Sequence, residues 1–246
     1  MFCFHGYGRD SYTFSFLTRY LGNRYTIVAI DAPYHGHTQW DDPVFRPKDL
    51  VEVLKKISKA LGKEEKKVSL LGFSMGGRIA LNVTHLFASN IERVVLLAPD
   101  GLKFHFWQWF STHTWIGNKL FDYTVHHPAW LLRIVSFAEK MGLLNKNMAS
   151  FVRYYLDDNE ERLILYRRWI IMRKFRPHLS SIKKTIIKNK IRVRMLFGSY
   201  DRIIHSAGGH AFLKSIEAYA TVKIIDAGHD ILREWNGAAI ADLFND

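Results

Sequence analysis

The chain has one cysteine, Cys3, among its 246 residues. A single cysteine cannot form an internal disulfide, so a reducing cytoplasm is the setting that the composition favours. Because Cys3 falls in a short apolar segment at the start of the sequence, we expect it to be a core residue and not a catalytic one.

Long apolar runs are absent as well. No segment approaches the roughly 18 consecutive apolar residues of a transmembrane helix, which predicts that the chain has no membrane span. The start of the sequence lacks the basic segment of a signal peptide, and no internal repeat is present. Apolar residues make up 48% of the chain, so the composition is that of a globular protein with room for one domain and an insertion.

Acidic residues are outnumbered, with 23 Asp and Glu against 35 Lys and Arg and a net charge of +12. Residues 101–185 contain 14 Lys and Arg but 6 Asp and Glu, and so hold +8 of that charge. The pattern leaves two interpretations open, a solvated basic face or a surface that attracts an acidic partner or anionic substrate. No nucleic-acid-binding motif accompanies the charge, so nucleic acid is not a predicted partner. One helical stretch holds the densest cations, Arg167, Arg168, Arg173, Lys174 and Arg176.

The most informative stretch is residues 68–81, where an apolar run enters Gly72-Phe73-Ser74-Met75-Gly76 and a helical pattern follows. This order predicts a strand, a sharp turn and a helix, with Ser74 at the turn. The residues two places before and after such a serine crowd together, and glycine at both places removes their side chains. Gly77 similarly lets the helix pack close to the sheet. The Ser74 hydroxyl is then exposed beside a helix N-terminus, which favours developing negative charge.

Candidate partners of Ser74 lie near the other end of the chain. An apolar segment at 193–198 leads to Asp201, and another at 221–225 leads to His229. The chain itself opens with a short apolar segment that ends in His5-Gly6-Tyr7-Gly8. The order Ser, Asp, His is that of the α/β-hydrolases and differs from the chymotrypsin and subtilisin orders.

Over nearly its whole length the chain resembles the α/β-hydrolase superfamily, through the motifs HGYG, GFSMGG, SYDR and AGHD. Residues 31–37, DAPYHGH, also resemble a D-x-P-G-H-G-x-S loop of that superfamily, with Tyr34 in place of a glycine. The resemblance implies an α/β fold, a mainly parallel sheet with helices on both faces and an inserted helical cap. It implies no cofactor. Because the chain begins at the equivalent of the third strand, the first two antiparallel strands are expected to be missing.

The resemblance also implies roles for individual residues. Ser74 is the expected nucleophile, His229 the general base and Asp201 the acid that orients the imidazole. The backbone N–H groups of Tyr7 and Met75 are the expected oxyanion hole.

Several alternatives stay open at this stage. Asp100, at the end of the segment 94–97, is an alternative acid, because some hydrolases of this fold place the acid there. His5 is either a structural histidine or a substrate contact. No histidine shows metal-ligand spacing with carboxylates or cysteines, so no metal site is predicted.

The pattern along the chain predicts three parts, a hydrolase core in 1–100, a helical cap in 101–185 and the rest of the core in 186–246. The alternation of strands and helices in the first and last parts favours a parallel sheet covered on both faces. The middle part has no convincing strand and falls where this fold commonly inserts a cap. The predicted helix in the first part is 48–61, a closing helix follows His229, and the predicted strands are 2–4, 26–30, 68–71, 93–97, 192–197 and 221–225.

Aromatic residues crowd the predicted cap, and Trp107 and Trp109 are candidate substrate contacts. Most of these side chains are expected to pack helices together, and the others favour a substrate with an apolar acyl or aromatic portion. The aromatic residues concerned are Phe104, Phe106, Trp107, Trp109, Phe110, Trp115, Trp130, Phe137, Tyr154, Tyr155 and Trp169.

The sequence therefore predicts a serine hydrolase that cleaves a small-molecule carboxylic ester or thioester. An acyl carrier protein or a coenzyme A ester fits the charge, since both bring negative charge beside an apolar chain. The layout is similar to pimeloyl-acyl-carrier-protein methyl ester esterases. Carbon–carbon bond hydrolases, related lyases with the same triad, and a non-catalytic ligand receptor on this fold are the alternatives.

Overall fold

The structure, a computed structural model, describes residues 1–103, 105–144 and 146–245, without the side chains of Lys146, Asn147, Met148, Phe151 and Tyr155. Of the aromatic residues predicted for the cap, Phe104 and the side chain of Tyr155 lie outside the described residues.

Strands and helices alternate at both ends of the chain, with a run of helices between them. The strands are β1 (Phe2–Phe4), β2 (Val28–Ile30), β3 (Val68–Phe73), β4 (Ile91–Leu97), β5 (Arg192–Gly198) and β6 (Ala220–Ile225). The helices are α1 (Leu17–Leu21), α2 (Pro47–Ala60), α3 (Met75–Leu86), α4 (Phe106–His113), α5 (Trp115–His126), α6 (Ala129–Lys140), α7 (Lys146–Asp157), α8 (Asn159–Ile171), α9 (Leu179–Asn189), α10 (Ala207–Leu213) and α11 (Gly237–Asp242).

The six described strands form one sheet in the order β2-β1-β3-β4-β5-β6, and every neighbouring pair is parallel. The predicted α/β class with a mainly parallel sheet is therefore confirmed. The chain order reverses between β1 and β3, so the loops that follow these two strands diverge there. In open α/β sheets a crevice forms at such a reversal, at the carboxyl ends of the strands. Both HGYG, after β1, and Ser74, after β3, lie at this point.

Helices cover both faces of the sheet because its strands are apolar on both sides. On one face, Cys3, Leu71 and Val95 join a buried cluster with Leu17 of α1 and Ile240 of α11. Alternate strand residues point to the other face, where α2, α3 and α9 pack against one another. The sheet is thus held between two apolar layers, which fixes the strand ends that carry the candidate site.

Two compact units make up the chain. The first comprises Met1–Gln39, Phe45–Phe104 and Lys174–Asp246 and contains the sheet, and the second comprises Trp40–Val44 and His105–Arg173. The second unit is helical in its described part and is held by aromatic contacts and by a buried arginine, Arg162. Its Nε donates to the Val125 carbonyl at 2.9 Å and its Nη2 donates to Asn159 Oδ1 at 3.0 Å. The prediction of an inserted cap domain over 101–185 stays a prediction.

The two compact units differ in net charge. The second unit holds 9 Lys and Arg against 8 Asp and Glu, a net +1 of the chain's +12. The first unit therefore carries the other +11. Much of the charge of 101–185 belongs to residues that lie in the sheet-containing unit, namely Lys103, Lys174, Arg176, Lys183 and Lys184.

Among the described residues, no helix combines the length and the apolar character that crossing a bilayer requires.

Cys3 is fully buried in β1, and burial raises the pKa of its thiol to about 12. We expect Ellman's reagent to react with native protein at least about a thousandfold more slowly than with protein in guanidinium chloride, because the thiolate forms only when β1 opens. The measurement is the rate of absorbance increase in each condition. Rapid labelling of the native protein would show that β1 opens readily without unfolding of the whole protein. The reducing cytoplasm that the single cysteine favours stays a prediction.

Candidate active site

Ser74 occupies a sharp turn between β3 and α3. Its backbone has φ 50° and ψ −115°, a conformation that residues other than glycine rarely adopt. The turn is held on both sides, because Ser74 N–H donates to the Leu97 carbonyl at 2.9 Å and the Ser74 carbonyl accepts from Asp100 N–H at 2.9 Å. These bonds to the residues after β4 keep the strained turn in place. The side chain is left half-buried, at the carboxyl end of the sheet.

The glycines around Ser74 are required by close backbone approach, as the sequence predicted. A Cβ on Gly72 would lie 2.4 Å from the Gly76 carbonyl oxygen, which is the crowding expected of this turn. A Cβ on Gly76 would lie 1.9 Å from the carbonyl oxygen of Phe4, in the neighbouring strand β1. Gly77 allows α3 to approach Pro99, whose Cβ would lie 2.4 Å from an added Cβ.

Replacing Gly76 with alanine is expected to destabilise the protein by about 1–3 kcal/mol, because the new methyl group meets rigid backbone of β1. The matched control is Gly208→Ala in α10, where an added Cβ meets only Leu102 at 3.5 Å and Lys103 at longer distances. Guanidinium unfolding curves of both variants make the comparison. Equal stabilities would show that β1 and α3 adjust without strain.

The structure brings together Ser74, His229 and Asp201, which the sequence separates widely. His229 Nε2 lies 3.0 Å from Ser74 Oγ, across 155 positions of sequence. His229 Nδ1 lies 2.8 Å from Asp201 Oδ2. The Phe73 ring packs 5.5 Å from the His229 ring, centroid to centroid. Because a carboxylate only accepts hydrogen bonds, Nδ1 carries the proton, and Nε2 is left to accept one from the Ser74 hydroxyl.

Asp201 is held as a fully bonded, buried carboxylate. Its side chain is 0% exposed, and its Oδ1 accepts hydrogen bonds at 2.8 Å from both Ile203 N–H and Ile204 N–H. Its second oxygen is thereby directed to His229. A buried carboxylate needs hydrogen bonds to both of its oxygens, because removing an unpaired carboxylate from water costs a large free energy of desolvation.

Asp100, the alternative acid, has a different setting. Its Oδ2 lies 3.4 Å from Arg78 Nε, and its Oδ1 accepts from Gly101 N–H at 2.6 Å. The imidazole Nδ1 of His229 is bonded to Asp201. The geometry therefore favours Asp201 as the partner of the histidine.

Tyr7 and Met75, the expected oxyanion donors, follow the carboxyl ends of two adjacent strands. Met75 is the first residue of α3, and the first N–H groups of a helix have no partner within the helix. Tyr7 follows His5-Gly6 at the carboxyl end of β1, which pairs with β3 in parallel register, Phe4 opposite Gly72. Both N–H groups thus belong to adjacent strand ends beside Ser74.

His5 is buried, and both of its ring nitrogens contact backbone groups. Nδ1 donates to the Gly6 carbonyl at 2.8 Å, and Nε2 accepts from Ala32 N–H at 3.0 Å. These bonds join the loop after β1 to the loop after β2. They favour the structural role of His5 over the predicted substrate contact.

The loop after β2 also accounts for the unusual Tyr34. Its φ is 60°, in the left-handed region where a glycine is least strained, and the resembling loop has glycine at this place. Gly36 in the same loop has φ 52°, and a Cβ there would lie 2.2 Å from Asp31 Oδ2. The loop therefore keeps its shape with one glycine replaced by a strained tyrosine.

Trp107 and Trp109, the predicted substrate contacts, both lie on α4 in the second unit. Trp107 is 76% exposed, and Trp109 stacks on His113 with ring centroids 6.5 Å apart. A contact with substrate stays a prediction for both. Within the described residues, no group of three or more His, Cys, Asp or Glu side chains is arranged to hold a metal ion.

Two residues beside the site were missed by the sequence reasoning. Arg9 Nη2 lies 2.7 Å from Asp230 Oδ2, which ties the residue after HGYG to the residue after His229. The available signal was that Arg9 follows the motif HGYG and Asp230 ends the motif AGHD, which does not show that the two charges meet.

Comparison with known proteins finds hydrolases similar to this chain in sequence and in fold. The sequence pattern of the alpha/beta hydrolase family matches residues 1–243. A serine hydrolase-like protein of Danio rerio is 35% identical over 101 residues, which are 40% of this chain and 30% of that protein. The monoacylglycerol lipase ABHD6 of Homo sapiens is 21% identical over 248 residues, which cover 94% of this chain and 69% of that protein. The structure of a thermophilic esterase from Thermogutta terrifontis is similar in fold, with a TM-score of 0.68 and 15% identity over 99% of this chain and 88% of that one.

Proposed function

The chain belongs to the alpha/beta hydrolase family, and we propose that it is a serine hydrolase that cleaves a carboxylic ester or thioester through an acyl-enzyme on Ser74. The observation that carries the proposal is the chain of hydrogen bonds from Ser74 Oγ through His229 to Asp201, at 3.0 and 2.8 Å. This arrangement matches the roles of nucleophile, base and orienting acid in acyl transfer.

The proposed reaction has two steps. In the first, Ser74 Oγ attacks the carbonyl carbon while its proton moves to His229 Nε2, and the departing alcohol or thiol then takes that proton. In the second, His229 removes a proton from water while the water oxygen attacks the acyl carbon. The bond to Ser74 Oγ then breaks, Oγ takes the proton back from His229, and the carboxylic acid is released. Asp201 keeps the imidazole in the tautomer that accepts at Nε2 and stabilises its charged form.

The negative charge of each tetrahedral intermediate falls on the former carbonyl oxygen. We assign its stabilisation to the N–H groups of Tyr7 and Met75, which need only be aimed at the oxygen to act. The start of α3 adds the positive end of a helix dipole at the same place. These donors are part of the backbone, so their side chains do not limit the chemistry.

The triad bears on the choice between an enzyme and a receptor, and the substrate decides among the enzymes. Carbon–carbon bond hydrolases and related lyases share the triad, and they differ in the substrate that each accepts. A non-catalytic receptor on this fold would tolerate a broken triad, whereas every member is present and hydrogen bonded here.

The experiment that tests the function is a panel of p-nitrophenyl esters of increasing acyl length, combined with labelling by a fluorophosphonate. Hydrolysis of the short esters and labelling that depends on Ser74 support a serine esterase. Labelling without ester hydrolysis would move the proposal to the carbon–carbon bond hydrolases, and failure of both would favour the receptor.

An anionic carrier, such as coenzyme A or an acyl carrier protein, is the partner that the +11 charge of the first unit favours. We expect KM for a short acyl-coenzyme A to rise as salt increases, while KM for the matching neutral p-nitrophenyl ester stays nearly constant. The reason is that the screening length falls from about 10 Å at 0.1 M salt to about 3 Å at 1 M. Steady-state kinetics on both substrates at low and high salt make the measurement, and equal responses would exclude steering by charge.

A further inference from the structure

A cluster of three charged side chains joins the loop after β1 to the loop after β6. Arg9 Nη2 lies 2.7 Å from Asp230 Oδ2, and Arg233 Nε donates to the same oxygen at 2.5 Å. The cluster is partly exposed, with 30% of the Arg9 side chain and 36% of the Asp230 side chain open to solvent. The other oxygen of Asp230 is buried and accepts no hydrogen bond from the described residues. Both arginines therefore act on a single oxygen.

The loop that carries His229 must span a long distance, from the end of β6 to Ser74. In the sheet order, β3 is separated from β6 by β4 and β5, so residues 226–233 must cross two strand ends to bring His229 to Ser74. This loop has no helix or strand of its own. On the core side it is anchored by Ile231 and Leu232, which are buried. The Asp230 carboxylate is an anchor of a different kind, because it reaches Arg9 in the loop after β1, on the far side of β3 in the sheet order.

Arg9 forms the other end of the bridge, in the turn that holds Tyr7. The Arg9 N–H donates to the Gly6 carbonyl at 3.2 Å, so residues 6–9 form one turn. Displacing Arg9 therefore displaces the proposed oxyanion donor on Tyr7 as well. Arg233 lies only three positions from Asp230 and cannot replace this connection, since it belongs to the same loop.

We propose that Arg9 and Asp230 are positioning residues. Their ion pair keeps the general base, His229, and one oxyanion donor, the Tyr7 N–H, in place beside Ser74. The proposal rests on the proposed function of that site. Neither residue is assigned a contact with substrate. Their effect comes through geometry, because displacements of about 1 Å at reacting groups cost up to about a hundredfold in rate.

The test is a double-mutant cycle of Arg9→Gln, Asp230→Asn and the double variant on a short p-nitrophenyl ester. We expect each single variant to lower kcat about 10- to 100-fold with little change in KM. The double variant should be no worse than the singles, since one connection is lost in all three. Arg9→Lys should retain most of the activity by keeping the charge. The matched control is Arg19→Gln with Glu234→Gln, an exposed pair 2.6 Å apart between the same two regions of sequence, whose loss should leave kcat unchanged.

The outcomes separate this proposal from the proposed function. Additive losses, an effect on KM alone, or losses no larger than those of the control pair would overturn the positioning role while hydrolysis itself stands. If the wild type hydrolyses no ester, the function fails, and the bridge is then judged by NMR of the His229 Nδ1 proton. A sharp downfield signal that broadens in Arg9→Gln and not in Arg19→Gln supports the bridge, and an unchanged signal overturns it.

Discussion

Replacing Ser74 with alanine is expected to lower kcat for ester hydrolysis by about 10⁴-fold or more and to abolish labelling by a fluorophosphonate. The proposed reaction forms its covalent intermediate on Ser74 Oγ, and the hydrogen-bonded His229 is left without a group to deprotonate. What activity remains would come from substrate binding and from the oxyanion donors, which the substitution leaves in place. Initial rates with a short p-nitrophenyl ester, at enzyme concentrations high enough to detect slow turnover, give the value.

A loss of activity identifies Ser74 as the nucleophile only if the variant folds like the wild type. Alanine keeps the same strained backbone at position 74, so we expect a melting temperature close to that of the wild type. Ser89→Ala is the control, because Ser89 is exposed and its hydroxyl donates only to Asn90 in the described contacts. If Ser74→Ala retains more than about a tenth of the activity, the acyl-enzyme does not form on this residue.

Replacing Asp201 with asparagine is expected to lower kcat by about 10³–10⁴-fold. The oxygen of the new amide is expected to stay with the N–H groups of Ile203 and Ile204, which donate to Oδ1 of the native residue. The amide NH₂ then faces His229 Nδ1 and forces that nitrogen to accept a hydrogen bond. The proton of the imidazole moves to Nε2, which can no longer take the proton of Ser74.

Asp100→Asn is the matched comparison, since the two acids were both candidates from the sequence. Asp100 lies beside Arg78 and accepts from Gly101 N–H, so its substitution should change kcat by less than about tenfold. The measurement is kcat for both variants on one ester, with unfolding curves to check stability. A larger loss for Asp100→Asn than for Asp201→Asn would transfer the role of acid to Asp100.

Local patterns predicted the elements of the fold well, because each pattern has a local cause. The strand predicted at 2–4 is β1 at Phe2–Phe4, and the helix predicted at 48–61 is α2 at Pro47–Ala60. The apolar run at 68–71 extends to Phe73 as β3, up to the residue before Ser74. Apolar strands bounded by glycine, and helices with apolar residues at regular spacing, are specified by neighbours in sequence.

The elbow around Ser74 was also predictable from the sequence alone. Glycine at 72 and 76 is required by contacts that arise within the turn and with the adjacent strand, at 2.4 Å and 1.9 Å for an added Cβ. The order Ser, Asp, His was predictable too, because it is a property of the sequence and does not depend on distances in the fold.

Long-range contacts decided the rest. The sequence favoured Asp201 and left Asp100 as an alternative acid, and the hydrogen bond from His229 Nδ1 to Asp201 supports the first. It gave no sign that Arg9 meets Asp230, and it left open whether His5 is structural, the role that its bonds to two backbone groups favour. It showed the excess of positive charge in 101–185, and the compact units show how the charge of the whole chain is divided, with a net +11 in the unit with the sheet. The physical reason is common to these cases. Backbone conformation and burial follow from neighbouring residues, whereas the partner of a charged or hydrogen-bonding side chain depends on which distant loops the sheet brings together.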